Sequence, residues 1–118
     1  MKKNKFSKNW IIKQKRDLYV KKSKLEGYRS RAVYKLQEIN DKFKIIKNNI
    51  LVVDLGAAPG SWSQYISRNF KNSKIISIDL KDIEPIKNVT HIIGDFTDEN
   101  EKLKIQNYFR KKVDLIIS

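Results

Sequence analysis

Apolar and amphipathic segments alternate along most of this chain, and this alternation predicts strands joined by helices. Apolar runs predict strands over 50–53, 74–79, 90–93 and 113–117, and the unbroken run over 50–53 is typical of a strand covered on both faces. Helices are predicted over 61–70 and over 98–112. The second of these has acids in its first turn and bases in its last turn, which complement the helix dipole. Strands that alternate with crossovers predict an α/β fold with a parallel sheet.

A further helix is predicted near the N-terminus. Trp10, Leu18 and Tyr19 are interspersed with Lys and Arg, which predicts a short amphipathic helix over 9–22. Residues 1–8 are mostly Lys and Asn and are expected to be disordered. The aromatic side chains of Trp10 and Tyr19 could stack on nucleic-acid bases or dock the helix onto the domain, and docking is the preferred interpretation.

Another amphipathic helix is predicted after Gly27. Ser30 has a side chain suited to an N-cap, and one face at helical spacing carries Ala32, Val33, Leu36, Ile39 and Phe43. Lys35 lies on a different face, where its spacing favours a surface ion pair with Glu38 one turn further on.

The segment LVVDLGAAPGSW over 51–62 predicts a buried strand that ends in a glycine-rich turn and continues into a helix. Gly56 and Gly60 bracket the turn, and free N–H groups at the helix start would face a ligand above the strand's carboxyl end. Because these glycines are four apart, the second glycine of the dinucleotide fingerprint is absent, and no P-loop sequence occurs. The pattern suits S-adenosylmethionine, an adenosine ligand without phosphates; the alternative is an ordinary strand–turn–helix corner.

Two acids follow the next two predicted strands. Asp79 ends the second strand, 23 residues after Gly56, where a carboxylate can accept both ribose hydroxyls. Asp95 follows the third strand, where an acid can accept from an adenine amino group or simply cap a turn. Both acids are therefore candidate ligand residues at one edge of the sheet.

Composition limits the class of protein. At 118 residues the chain is at most one domain, and with no Cys and one His a thiolate or histidine metal site is not expected. The N-terminus is too polar for a signal peptide, and no apolar run approaches the length of a membrane span. We expect a soluble, cytoplasmic monomer.

The positive charge is concentrated near the N-terminus. Residues 1–35 contain 13 Lys and Arg against two acids, whereas residues 36–118 contain 13 against 11. Such a basic segment favours a polyanionic partner, most often nucleic acid. The alternative is a solvated tail whose lysines reflect nothing more than codon composition.

Three motifs in order resemble a known family: YRSRAVYKL over 28–36, VDLGAAPGSWSQ over 53–64 and GDF over 94–96. Together they closely resemble the FtsJ/RrmJ family, the heat-shock-associated 2′-O-ribose methyltransferases of large-subunit ribosomal RNA. The resemblance implies a Rossmann-like, S-adenosylmethionine-dependent methyltransferase fold, of which this chain carries four of the family's seven strands. Residues 1–28 would be a basic N-terminal arm, and 29–118 the N-terminal part of the methyltransferase domain.

The resemblance also implies roles for individual residues. Cofactor-binding residues would be Gly56, Gly60, Trp62, Asp79 and Asp95, with Gly60 and Trp62 beside the methionine end. Lys35 matches the first lysine of the family's Lys-Asp-Lys-Glu active-site set. The basic arm matches the family's RNA-facing extension, and the candidate RNA contacts are Arg29, Arg31, Lys21, Lys22 and Lys24.

The family's function would be methylation of a uridine ribose in large-subunit ribosomal RNA, with the large ribosomal subunit as partner. The chain ends one residue before the family's active-site Asp, and the second Lys and the Glu lie beyond Ser118. We therefore expect this 118-residue chain to be inactive or incomplete by itself. The alternative function is an RNA-binding module with a vestigial methyltransferase fold.

Overall fold

The computed structural model describes residues 5–108 and 113–118. Its elements in chain order are α1 (Lys5–Glu26), α2 (Val33–Phe43), β1 (Leu51–Leu55), α3 (Ser61–Asn69), β2 (Lys74–Asp79), β3 (Val89–Ile93), α4 (Glu99–Tyr108) and β4 (Leu115–Ile117). The strands form one sheet in the order β3-β2-β1-β4. Each neighbouring pair is parallel, so the predicted α/β fold is confirmed.

The parallel arrangement brings the carboxyl ends of all four strands to one edge of the sheet. Leu55 of β1 is opposite Ile78 of β2, and Asp79 is opposite Ile93 of β3. Residues that follow the strands therefore lie side by side along this edge, in the spatial order Asp95, Asp79, Gly56 and Ser118. In open parallel sheets, ligands bind at this edge.

The centre of β1 is buried on both faces of the sheet, as the apolar run over 50–53 predicted. Val52 packs in a cluster with residues of α2 and α3, including Leu36 and Ile66. Val53, the next residue, packs on the opposite face with Ile76 and Ile78. The period of two along β1 thus contributes to two separate hydrophobic clusters. An open apolar groove of about 530 Å³ lies on the second face, lined by Val53, Leu55, Phe96, Lys102, Ile105, Gln106, Val113 and Ile116.

Helix α1 is longer than the predicted 9–22. It begins at Lys5, so the prediction of disorder is wrong for residues 5–8, while residues 1–4 lie outside the described part of the chain. Lysine is a good helix former, and each added residue gains a backbone hydrogen bond. At the other end, the Arg68 guanidinium donates to the carbonyls of Glu26 and Gly27 at 3.1 and 2.8 Å. These bonds satisfy carbonyls that a helix end leaves free.

Ser30 is not the N-cap of α2, contrary to the prediction. The helix begins at Val33 after a turn, and Ala32 occupies the N-cap position without a side-chain cap. The Ser30 hydroxyl instead donates to the hydroxyl of Ser61 at the start of α3, at 2.9 Å. A tertiary contact has therefore replaced the local one.

The predicted apolar face of α2 is buried only in part. Val33 and Leu36 are buried, but Ala32 and Phe43 are exposed. Asn40 is buried instead, and its side-chain carbonyl accepts from the N–H of Ile46 at 2.8 Å. This polar side chain occupies a core position because it pairs with the backbone that leaves the helix.

Helix α4 begins as predicted, with the Asp98 carboxylate accepting from the N–H groups of Asn100 and Glu101. Its predicted basic last turn, 110–112, lies outside the described residues. Within residues 5–108 and 113–118, every helix is too short or too polar to cross a membrane.

Candidate functional site

The turn between β1 and α3 is held against the end of β2. Gly56 and Ala57 both donate their N–H groups to the carbonyl of Ile78, at 2.8 and 3.2 Å. Gly56 has φ +68°, and a Cβ placed there would meet no described atom within 4 Å. Its backbone conformation favours glycine, and the space above it is open to a ligand.

Gly60 is required for a different reason. It has φ +109°, and a Cβ there would lie 3.0 Å from Ile86 Cδ1 and 3.2 Å from Arg29 Nη1. The close approach of the segment after β2 and of Arg29 therefore leaves no room for a side chain. Both predicted glycines lie at the sheet edge, but only Gly56 faces open space.

A cavity of about 170 Å³ lies at this edge. Trp62 forms part of its wall and donates its indole N–H to the carbonyl of Ala32 at 2.7 Å, which joins α3 to the start of α2. The lining residues are Ala32, Asp54, Leu55, Gly56, Ala57, Ala58, Ser61, Trp62 and Ser118. The structure thus brings two of the candidate cofactor residues, Gly56 and Trp62, to one cavity.

Asp54 is a cavity residue that the sequence analysis did not select. Its side chain is 2% exposed and accepts a hydrogen bond from the Ser63 hydroxyl at 2.8 Å. Burial raises the pKa of Asp54 to about 6, a rise that the hydrogen bond from Ser63 limits and the nearby Asp79 carboxylate adds to. The cavity therefore contains an acid whose charge changes near neutral pH.

Asp79 lies at the tip of β2, partly exposed. Its Oδ2 accepts from the N–H of Ala58 at 2.9 Å and its Oδ1 from the N–H of Lys81 at 3.0 Å. These backbone hydrogen bonds, led by that from Lys81, lower the pKa of Asp79 despite partial burial. Asp79 is therefore ionised at neutral pH, and each oxygen keeps a lone pair for a further donor.

Asp95 lies beyond β3, next to Asp79 along the edge. Its Oδ1 accepts from both the hydroxyl and the N–H of Thr97, and these bonds lower the pKa of Asp95. Its own N–H donates to Glu101 of α4. Asp95 thus organises the turn into α4, which is the turn-capping role named above. Its other carboxylate oxygen takes no part in the contact with Thr97.

Lys35 is exposed on α2, one turn after the cavity residue Ala32. The surface ion pair with Glu38 is not formed: within the described residues, the Lys35 ammonium has no acidic partner within 4.0 Å. Lys35 is therefore a surface lysine, as expected, but the expected ion pair with Glu38 is absent.

The five candidate RNA contacts have different surroundings. Lys21, Lys24 and Arg31 are exposed. Lys22 lies 3.7 Å from the Glu26 carboxylate and 4.7 Å from the centre of the Tyr34 ring. Arg29 is partly buried and donates to two backbone carbonyls. The basic surface available to a partner therefore includes Lys21, Lys24 and Arg31.

The two aromatic residues of α1 behave differently. Tyr19 stacks on Tyr34 of α2 with ring centres 5.4 Å apart, so docking is confirmed for Tyr19. Trp10 is 58% exposed and lies far along α1 from that contact, so docking is wrong for Trp10. Burial, followed by the nearby Glu26 carboxylate, raises the pKa of Tyr34 to about 12, which keeps this ring neutral where Tyr19 packs.

The comparisons with known proteins agree with this geometry. The family model of FtsJ-like methyltransferases matches residues 28–118. This chain belongs to that family. It is 59% identical to the ribosomal RNA large subunit methyltransferase E of Pelagibacter ubique, over the whole of this chain and 58% of that protein. It is 49% identical to the methyltransferase E of Rickettsia felis, over 95% of this chain and 52% of that protein.

A solved structure resembles the FtsJ-like fold of this chain as well. The ribosomal RNA methyltransferase of Plasmodium falciparum is 40% identical with a TM-score of 0.65, covering 75% of this chain and 54% of that one. The predicted family and fold are therefore confirmed. The chain spans between half and three-fifths of the length of the curated relatives described here.

The sequence analysis missed Asp54 as a site residue and missed the internal contacts of Arg29, for different reasons. Asp54 was passed over because it lies inside a motif chosen for its glycines; an acid within an apolar strand was the available signal. The internal contacts of Arg29 involve residues 30 and 56 positions away. No local pattern could have indicated them.

Proposed function

We propose that this chain carries the cofactor-binding part of an S-adenosylmethionine-dependent methyltransferase that methylates a ribose 2′-hydroxyl of a uridine in large-subunit ribosomal RNA. The observation that carries the proposal is the row of Asp95, Asp79 and Gly56 along the carboxyl edge of a parallel sheet. Membership of the FtsJ-like family and the names of its relatives supply the substrate class.

The residues at the edge suit the cofactor's parts. Asp79 is ionised, and its remaining lone pairs can accept the two ribose hydroxyls. The open space above Gly56 allows a ligand to approach the backbone. The cavity beside Trp62, at about 170 Å³, would hold the methionine end, where an ionised Asp54 favours the ligand's cationic groups. Asp95 would reach the adenine amino group with the oxygen that Thr97 leaves free.

Lys35 is proposed to act at the reacting oxygen. When bound, S-adenosylmethionine supplies a sulfonium methyl group to the ribose 2′-oxygen. The S–CH3 bond would break, the neutral thioether would leave, and the hydroxyl proton would pass to solvent water. An ammonium group near the oxygen would stabilise the negative charge that develops on it. The exposed Lys35 ammonium, unpaired with acids in the described residues, is available for this role.

The RNA would approach over α1 and the following turn. Residues 1–35 carry a net charge of +11. Within this segment, the side chains of Arg31, Lys21 and Lys24 are exposed to solvent. Lys22 and Arg29 are weaker candidates for this surface, because each already has intramolecular partners. Phosphate contacts of this kind position a nucleic acid without reading its sequence.

Titration of S-adenosylmethionine into the 118-residue chain, followed by calorimetry, tests the cofactor site. We expect saturable binding that Asp79→Ala abolishes and Asp79→Asn weakens, since Asn can still accept from Ala58 but serves the ribose hydroxyls less well. Asp17→Ala on α1 is the matched control, as it removes one carboxylate far from the edge. Equal loss in all three variants, or no binding to a folded chain, would contradict the proposal.

An RNA-binding module with a vestigial methyltransferase fold is the second candidate function. The uneven charge supports it, because the basic segment does not depend on the pocket. Under this alternative the folded chain binds ribosomal RNA and ignores S-adenosylmethionine. Measuring both affinities on one preparation separates the two functions.

A further inference from the structure

The turn between α1 and α2 is tied to the start of α3. The N–H of Arg29 donates to the side-chain carbonyl of Gln64 at 2.8 Å. Ser30 donates to Ser61 at 2.9 Å, and Trp62 donates back to Ala32 at 2.7 Å. Residues 29–32, between the basic helix and the helix of Lys35, are thus bonded to the helix that follows the cofactor turn.

The Arg29 guanidinium connects two further segments. Its Nη1 donates to the carbonyl of Pro59 at 3.0 Å, and its Nη2 donates to the carbonyl of Pro85 at 3.2 Å. Pro59 belongs to the turn after β1, and Pro85 belongs to the segment that follows Asp79 and β2. One planar fork therefore joins the loops after two adjacent strands.

The guanidinium lies close against the turn at Gly60. Gly60 has room for no side chain, because Arg29 Nη1 lies 3.2 Å from the position of a Cβ. Pro59, Ile83 and Glu84 line a shallow pocket with Arg29. A guanidinium that bonds and packs in this way presents less of its charge to an outside phosphate than the exposed Arg31.

We propose that Arg29 is a positioning residue for the cofactor pocket rather than a contact for RNA. It holds the turn of Gly56 and Gly60 against the segment after Asp79, so the two sides of the pocket keep a fixed separation. This role rests on the proposed function, because it concerns the same S-adenosylmethionine site. Lysine cannot replace Arg29, since a single ammonium lacks the planar fork that serves both carbonyls.

Hydrogen exchange and two binding measurements on the full chain test this role. Arg29→Gln should accelerate exchange at the amides of Ala58 and Val89, in the two clamped segments, and leave the centre of the sheet protected. It should lower the affinity for S-adenosylmethionine by about tenfold or more and change the affinity for RNA little. Arg29→Lys, which keeps the charge, should fail to restore the cofactor affinity.

Arg31→Gln is the matched control, two residues away and exposed. It should weaken RNA binding and leave both the exchange and the cofactor affinity unchanged. A loss of RNA affinity in Arg29→Gln as large as in Arg31→Gln, with normal exchange, would overturn the proposal. Full rescue by Arg29→Lys would overturn it too, because charge alone would then suffice.

The exchange measurement keeps the two proposals separate. If the unsubstituted chain does not bind S-adenosylmethionine, the proposed function fails, while local exchange at Ala58 and Val89 still decides whether Arg29 is a clamp. Faster exchange throughout the sheet in Arg29→Gln and Arg29→Lys would indicate a general structural role and would refute a specific positioning one.

Discussion

At the scale of single residues, the burial of Asp54 links stability to pH. The folded chain holds its proton up to pH about 6, whereas an unfolded chain releases it near 3.8. Between these values the folded state binds more protons, so the contribution of Asp54 to stability declines as pH rises through this window. Asp79 acts in the opposite direction, because its pKa is lowered, and its contribution is lost only as the pH falls.

Asp54→Asn should remove this pH dependence. An amide cannot ionise, and its carbonyl can still accept from Ser63. Relative to the variant, the original chain should lose about 3 kcal/mol of unfolding free energy between pH 4 and pH 7, from a shift of about two pKa units. Urea unfolding at several pH values measures this difference. A constant difference across the range would show that Asp54 is ionised in the folded state throughout.

The two glycines of the turn should differ in their tolerance of alanine. Gly56→Ala places a Cβ in open space and should cost about 1 kcal/mol for the left-handed backbone alone. Gly60→Ala adds a contact of 3.0 Å with Ile86 and should cost about 2–4 kcal/mol. Urea unfolding of the two variants at one pH compares them. Equal costs would mean that the neighbours of Gly60 move aside freely.

At the scale of elements, α1 is attached to the domain near its C-terminal end. Tyr19 stacks on Tyr34, the Lys22 ammonium lies over the same ring, and Arg68 bonds the last carbonyls of the helix. The first half of α1 has Trp10, Ile11 and Ile12 exposed among its lysines. The helix therefore has one end that docks and another that exposes Trp10, Ile11 and Ile12.

Tyr19→Ala and Trp10→Ala should separate these two ends. Loss of the stacked ring should cost about 1 kcal/mol and raise the rate of tryptic cleavage within α1 by about fivefold. Trp10→Ala should leave that rate unchanged and reduce RNA affinity, as a stacking platform would. A cleavage rate raised equally by both variants would mean that Trp10 contributes to docking.

At the scale of the whole molecule, the uneven charge predicts how the proposed RNA binding should depend on salt. Replacing Lys21 and Lys24 together by Ala should make the negative slope of log affinity against log salt concentration shallower by about 1.5. Replacing Lys102 and Lys104, exposed lysines of α4, removes the same charge elsewhere and should leave the slope nearly unchanged. Filter binding over a salt series measures both. Equal changes of slope for the two pairs of lysines would mean that RNA does not prefer the surface of α1.

Local patterns were sufficient for most of the fold. Apolar runs predicted four strands because a sheet covered on both faces requires them, and the glycines at 56 and 60 marked the turn because its backbone conformation favours glycine. Helix ends were less predictable. The start of α1 and the cap of α2 depended on helix propagation and on the bond from Ser30 to Ser61, which no local pattern contains.

What the sequence by itself determined is the fold class, the family and the candidate residues at the strand ends, because motif spacing and the succession of strands along the chain are properties of the sequence. The tertiary structure decided which side chains are free. It buried Asp54, bonded Arg29 to the carbonyls of Pro59 and Pro85, and left Lys35 without its expected ion partner. Burial and hydrogen bonding set the charge and reach of a side chain, and both arise from contacts between segments far apart in the chain.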